Sequence, residues 1–166
     1  MRRLRIYLDT SVINFLYADD APEKRDITQE FFETRLDLFD VSISDMVLVE
    51  IGRTRDAERC RLLREAVGKY GLVPVALDED EAAEVGAMAE SYMREGIVPA
   101  SKRDDAVHVA ICTVLEFDVL LSWNFQHLAN VKKQIRINTV NQRQGYLKPL
   151  LLLTPLEVMG DETEGE

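Results

Sequence analysis

The feature that most constrains this chain is an alternation of short apolar runs with longer stretches of helical period. The runs "RLRIYLD", "VSIS", "LVPVAL", "DVLLSW" and "LLLLT" have strand length. Between them, "TSVINFLYA" opens with hydroxyls suited to capping. The stretch from Pro22 to Phe39 carries Ile27, Phe31 or Phe32, and Leu36 or Leu38 at helical spacing, and Pro22 suits a first turn. "SDMVLVEIGR" starts a helix with Ser44 or Asp45 as cap, and "DAERCRLLREAVGKYG" ends one with Gly71 as its C′ residue. "DEDEAAEVGAMAESYMREG" places its acids where a helix dipole favours them. "KRDDAVHVAICTVLEF" is a further helix, and Gln126 to Pro149 reads as short helices or loop. Short strands alternating with helices imply a parallel sheet covered on both faces.

The 166 residues suit one domain with a sizeable core, and no internal repeat or linker divides them. We expect a single domain over residues 1–158 and an acidic, solvated tail over 159–166, where "GDETEGE" lies. No apolar run approaches the ~20 residues of a membrane helix. The basic start "MRRLR" is followed only by "IYL" before Asp9, which is no signal peptide. Cys60 and Cys112 sit in helical patterns and suggest neither a disulfide framework nor a zinc site. The expectation is a soluble, cytoplasmic protein without membrane contact. Its net charge of −10 offers no general attraction to nucleic acid. Nucleic-acid chemistry here needs a local basic patch, or metal ions that reverse the sign at the site.

Asp9 ends the first strand, where burial strips its hydration. In a doubly wound sheet, sites form at the carboxyl ends of strands. Asn124 follows the fourth strand, after Ser122 and Trp123. Glu50 lies within the helix after the second strand, and Asp104 and Asp105 open the helix leading into the fourth. Topology alone delivers these oxygen ligands to one sheet edge. Gathered carboxylates repel one another unless a cation joins them. Oxygen-only ligands at low count fit Mg²⁺ or Mn²⁺. The competing reading makes each acid a turn residue, a helix cap or a solvated side chain. Only the joint pattern lifts them above it.

His108 lies one turn from Asp104 and Asp105. It either joins an Asp–His metal pair or, the reading we prefer, packs partly buried beside Ala106, Val109 and Cys112. His127 reads as a surface loop residue. Arg53, Arg55, Arg59, Arg61 and Arg64 form a basic run just beyond Glu50, and Lys102 with Arg103 precede the acid pair. Such runs are usually solvated helix faces. Here they are also candidates to guide a phosphodiester chain, with Arg53, Lys102 and Arg103 nearest the acids. No glycine-rich phosphate loop or nucleophile elbow is present.

"YLDTSVINF", "VEI", "KRDDAVHVA" and "LLSWN", in this order, resemble the motifs of PIN-domain proteins, which include the VapC-like toxins. The resemblance covers nearly the whole chain. It implies an α/β/α sandwich of three layers with a central, mostly parallel sheet of about five strands. It further implies a metal-dependent endoribonuclease using Mg²⁺ or Mn²⁺, with RNA as substrate, a homodimeric state and an antitoxin protein as partner if the chain is a toxin. By motif, Asp9, Glu50 and Asp105 match the family's first three acids, and Asn124 stands where the fourth, often an aspartate, would be. Ser11 and Ser122 match hydroxyl positions that support the site. Asn124 removes one charge, which weakens the case for a second metal. The alternative is a catalytically weak or inactive PIN-like module that binds RNA or protein. A haloacid-dehalogenase-like phosphatase fits less well, because it wants an acid two residues after Asp9, where Ser11 stands.

Overall fold

Strand β1 (Arg5–Leu8) sits at the centre of the sheet, and Ile6, Tyr7 and Leu8 have no exposed surface. This is a computed structural model, which describes residues 2–124 and 130–160. β1 pairs in parallel with β2 (Asp40–Ser44) on one side and with β4 (Val119–Leu121) on the other. β3 (Pro74–Val75) adds beyond β2 and β5 (Leu151–Leu153) beyond β4. The sheet is five-stranded and all-parallel, in the order β3-β2-β1-β4-β5. A strand buried on both faces needs apolar side chains on both, which is why "IYL" and "VLL" carry no alternation.

The order reverses at β1. Right-handed crossovers therefore place the helices before and after the reversal on opposite faces. The first set comprises α1 (Thr10–Asn14), α2 (Pro22–Thr34), α3 (Asp45–Gly52) and α4 (Ala57–Lys69). The second comprises α5 (Glu79–Arg94), α6 (Arg103–Val114) and α7 (Val131–Arg143), with α5 packed on both α6 and α7. The last helix, α8 (Pro155–Met159), packs on α2. The result is a three-layer α/β/α, PIN-like architecture. No helix among the described residues is long and apolar enough to cross a membrane.

Some boundaries differ from expectation. α2 stops at Thr34, and a 3-10 turn (Leu36–Leu38) follows, rather than one helix to Phe39. Leu36 and Leu38 are two residues apart and cannot both share the face that buries Phe31 and Phe32, and Leu38 stays half exposed. "LVPVAL" yields only a two-residue edge strand, since Pro74 brings no donor to the ladder. The polar segment read as short helices or loop contains the 13-residue α7, capped by the Asn130 side chain. Its apolar stripe is narrow, with Ile137 and Val140 buried three residues apart.

Capping also differs. Ser44 is the N-cap of α3, but its hydroxyl bonds Tyr7 instead of the helix. Neither Asp104 nor Asp105 caps α6; Lys102 occupies that position and both acids fall in the first turn. Gly71 does follow α4 with φ +62°, a left-handed position that glycine fits. α8 runs through Met159 with Gly160 as its C-cap, and residues 161–166 of the proposed tail, like His127, lie outside the described residues.

Candidate active site at the strand reversal

β1 and β4 diverge in connectivity where the sheet order reverses, and such a point opens a crevice beyond the strands' carboxyl ends. Asp9, at 2% exposure, stands at the end of β1 as the N-cap of α1. Its Oδ1 accepts from the Ser11 backbone N–H (3.0 Å) and the Ser11 hydroxyl (2.5 Å). Its Oδ2 accepts from the Ser122 hydroxyl at 2.6 Å. Ser11 also ties α1 to the segment after β4, its Oγ accepting from the Trp123 N–H, while Ser122 Oγ accepts locally from the Asn124 N–H, each at 2.9 Å. Asp9 is thus held as an aligned buried acid by donors from the first turn of α1 and from the residue that follows β4.

A cleft of about 260 Å³ lies over it, lined by Asp9, Thr10, Ser11, Asn14, Glu50, Asp105, His108 and Asn124. The structure therefore brings Asp9, Glu50, Asp105 and Asn124 to one cavity from four segments of chain. Asn124 Nδ2 donates to Asp105 Oδ2 at 3.1 Å. Glu50 Oε1 accepts from the Thr10 hydroxyl at 2.7 Å and from His108 Nε2 at 2.5 Å.

Asp104 does not line that cleft. It turns to Arg53, whose Nη1 lies 2.8 Å from Asp104 Oδ2, and faces an adjoining cleft of about 330 Å³ lined also by Glu50, Ser101, Lys102, Arg103, Asp105 and Asn124. Asp104 therefore shares a cleft with Glu50, Asp105 and Asn124, but not the one that lies over Asp9. Arg103 is paired with Glu90 at 2.6 Å. The arginines beyond Glu50 are also partly committed: Arg59 donates to the Asn14 and Tyr17 carbonyls, and Arg61 pairs with Glu58 and Glu65. What reads in sequence as one basic run is dispersed among local partners.

His108 is 1% exposed, and both its ring nitrogens are engaged, Nδ1 with the Tyr7 hydroxyl at 2.6 Å and Nε2 with Glu50. It has no nitrogen left for a metal, which removes the Asp–His pair. The sequence offered no sign of its bonds to Tyr7 and Glu50, since those residues are far from it along the chain. Thr10 was passed over for the same reason. Lys133, in the first turn of α7, also feels the Asp105 charge.

Burial pushes the Asp9 carboxyl above its ordinary pKa, against the pull of His108 and the serine hydroxyls. For Glu50, burial acts upward, but the hydrogen bond and charge of His108, helped by Thr10 and Arg53, outweigh it and hold the group low. For His108, burial acts downward, and the bond to Glu50 and the charges of Asp9, Glu50 and Asp105 reverse the balance and raise it.

Among the described residues, no group of three or more His, Cys, Asp and Glu is close enough to hold a metal ion by itself. The donor chemistry nonetheless fits a hard cation. Carboxylates and an amide oxygen line the cleft, with no available thiol or imidazole. A cation that retains several waters needs no closed protein shell.

No family model matches the chain, and none of the curated proteins is similar to it in sequence. Among solved structures, it is similar to a chain of the crystal structure of VapBC2 from Rickettsia felis bound to a DNA fragment from their promoter. The match has a TM-score of 0.60 at 14% identity and covers 91% of this chain and 98% of that one. At that identity the likeness establishes the fold: a PIN-like α/β/α sandwich.

Proposed function

We propose that this protein is an endoribonuclease that hydrolyses RNA phosphodiester bonds with Mg²⁺ or Mn²⁺. The observation that carries the reading is the convergence of Asp9, Glu50, Asp105 and Asn124 on one cleft at the strand reversal. Asp9, Glu50 and Asp105 are the residues that would hold the ion. A bound divalent cation would supply charge neutralisation at phosphate and a more acidic water. Asp9 is kept ionisable and fixed in direction by Ser11 and Ser122. Asn124, through its bond to Asp105, keeps that carboxylate turned across the cleft, and its amide is suited to orient a water. Lys102, Arg53 and Arg103 rim the adjoining cleft or pair across it, and they are the cations nearest a phosphodiester chain entering there.

The structural likeness to a chain of the VapBC2 complex supports a toxin role with an antitoxin partner. A cytoplasmic homodimer is the state that accords with this reading. The second reading is a PIN-like module that binds RNA or protein without cleaving. Its support is Asn124 in place of an acid, with Asp9 and Glu50 already satisfied by internal hydrogen bonds. Incubating the protein with single-stranded RNA and Mn²⁺ separates the two. Cleavage by wild type that is lost with Asp9→Asn, at an unchanged circular dichroism spectrum, supports the nuclease. RNA binding without metal-dependent cleavage supports the module.

A further inference from the structure

The two hydrogen bonds on Glu50 both fall on Oε1, one from Thr10 and one from His108. Glu50 is the site acid with the longest side chain, and it is carried on the flank of a helix rather than at a strand end. Left to itself, such a side chain samples several rotamers. Here it is held from two directions. Thr10 approaches from the first turn of α1, and His108 from the buried face of α6.

His108 is itself fixed from behind. Its Nδ1 meets the Tyr7 hydroxyl at 2.6 Å, and that hydroxyl also meets Ser44 Oγ at 2.6 Å. Tyr7 is fully buried on β1, and Ser44 ends β2. The chain Ser44–Tyr7–His108–Glu50 thus runs from the two central strands to the cleft. Its direction at the Glu50 end does not depend on the charge of the ring. Nε2 must donate, because the carboxylate accepts. Nδ1 either accepts from Tyr7 or donates to it, and a tyrosine hydroxyl with a serine beside it serves both. An imidazole that only filled space in α6 would need no partner at the site.

We infer that His108, together with Thr10, is a positioning residue that presets the Glu50 carboxylate for a divalent cation, leaving Oε2 as the oxygen offered to it; this rests on the metal-site reading above. Hydrogen-bond partners behind a metal-binding carboxylate are worth roughly 10- to 100-fold in affinity where they have been removed.

The test is calorimetric titration with Mn²⁺ of wild type, Thr10→Val, His108→Leu, His108→Gln, Tyr7→Phe and Asp9→Asn, each checked for folding by near-ultraviolet circular dichroism. Thr10→Val and His108→Leu are expected to weaken Mn²⁺ binding by about tenfold or more. His108→Gln, whose amide can still donate, is expected to recover most of that loss. Tyr7→Phe is expected to fall between. In RNA cleavage, kcat should fall with the Mn²⁺ affinity while KM for RNA holds. If Thr10→Val and the folded His108 variants bind Mn²⁺ as wild type does, while Asp9→Asn does not bind, the inference is overturned and the site reading stands. If wild type fails to bind, or Asp9→Asn binds equally, the site reading falls and takes the inference with it. Should His108→Leu not fold, Thr10→Val and Tyr7→Phe decide the outcome by the same affinities.

Discussion

The amide of Asn124 donates to the carboxylate of Asp105 across 3.1 Å, so a neutral donor stands where a second acid would face the first. Replacing it removes the bond and adds a charge. Asn124→Asp places two carboxylates at that separation, and without a cation one of them must take up a proton or move away. Each unit by which the pair's pKa rises costs about 1.4 kcal/mol. We expect Asn124→Asp to melt below wild type in chelator, and to gain more from saturating Mn²⁺ than wild type gains. Melting curves in both conditions measure this. Equal metal-induced shifts for the two proteins would show that Asn124 does not face the cation.

The structural part that Asp9 plays and the metal-binding part proposed for it can be tested separately. Asp9→Ala leaves the Ser11 and Ser122 hydroxyls and the Ser11 N–H without their acceptor in a buried place. That should cost roughly 1–3 kcal/mol of stability. Asp9→Asn keeps one acceptor oxygen and should cost less, yet it should abolish the Mn²⁺-induced rise in melting temperature. Chemical denaturation of both variants, with and without Mn²⁺, distinguishes the roles. Equal metal responses in wild type and Asp9→Asn would place the cation elsewhere.

The position of α7 can be tested through its one buried amide. Asn141 accepts from the Tyr92 hydroxyl at 2.5 Å and donates to Thr113 Oγ1 at 3.0 Å, joining α7 to α5 and α6. Asn141→Ala removes both bonds and leaves two buried hydroxyls short of a partner, for an expected loss of roughly 2–3 kcal/mol. Tyr92→Phe in the same background should add less than it does alone, because the partners are shared. Additive losses in denaturant titrations would mean that the three side chains do not form one network.

Acid stability should depend on Asp118. Burial acts to raise its pKa, but the Arg2 guanidinium, the Arg5 N–H and the Lys148 ammonium together hold it well below the ordinary carboxylate range. A group lowered on folding contributes stability above its unfolded pKa of about 4 and loses it as pH falls through the folded value. The difference in stability between wild type and Asp118→Asn should therefore be constant from neutrality down to about pH 4 and shrink below it. A difference that grows as pH falls through that window would contradict the assignment.

RNA binding should separate Lys102 from Arg53. Arg53 is already paired with Asp104, an exposed pair of the kind that contributes about 0–1 kcal/mol to stability. Lys102 lines the same cleft. Each phosphate contact adds roughly one unit to the slope of log affinity against log salt. With Ca²⁺ in place of Mn²⁺ to suppress cleavage, Lys102→Ala should flatten the slope by about one unit. Arg53→Ala should flatten it less, since Arg53 is already paired with Asp104 and has less of its charge to offer a phosphate. Identical slopes for all three proteins would mean that RNA is held by another surface.

The sheet was legible because burial on both faces leaves a plain mark: "IYL" and "VLL" are uninterrupted apolar runs, and the helices between them dictate parallel pairing. The convergence of Asp9, Glu50, Asp105 and Asn124 on one edge followed from that topology. α7 was obscured because its buried face is narrow and its other residues are polar. The partners of individual side chains were not legible. Arg53 looks like a free cation in sequence, and only the approach of α3 to α6 pairs it with Asp104. His108 looks like a core residue, and so it is by burial. That it also reaches a site acid 58 positions away is a fact of tertiary structure alone.

The central strand of the sheet is also the first to be synthesised, and its neighbour β4 lies far downstream. The bond from Ser122 to Asp9 closes a loop of 113 residues. Contacts so distant in sequence form late and slowly, because the intervening chain must be ordered before they can close. A ribosome-bound fragment can therefore complete α1 and even the pairing of β1 with β2 while Asp9 still lacks its second serine and Asp105 still lacks Asn124. The four candidate residues that line the cleft can therefore meet only after the chain has been made as far as Asn124.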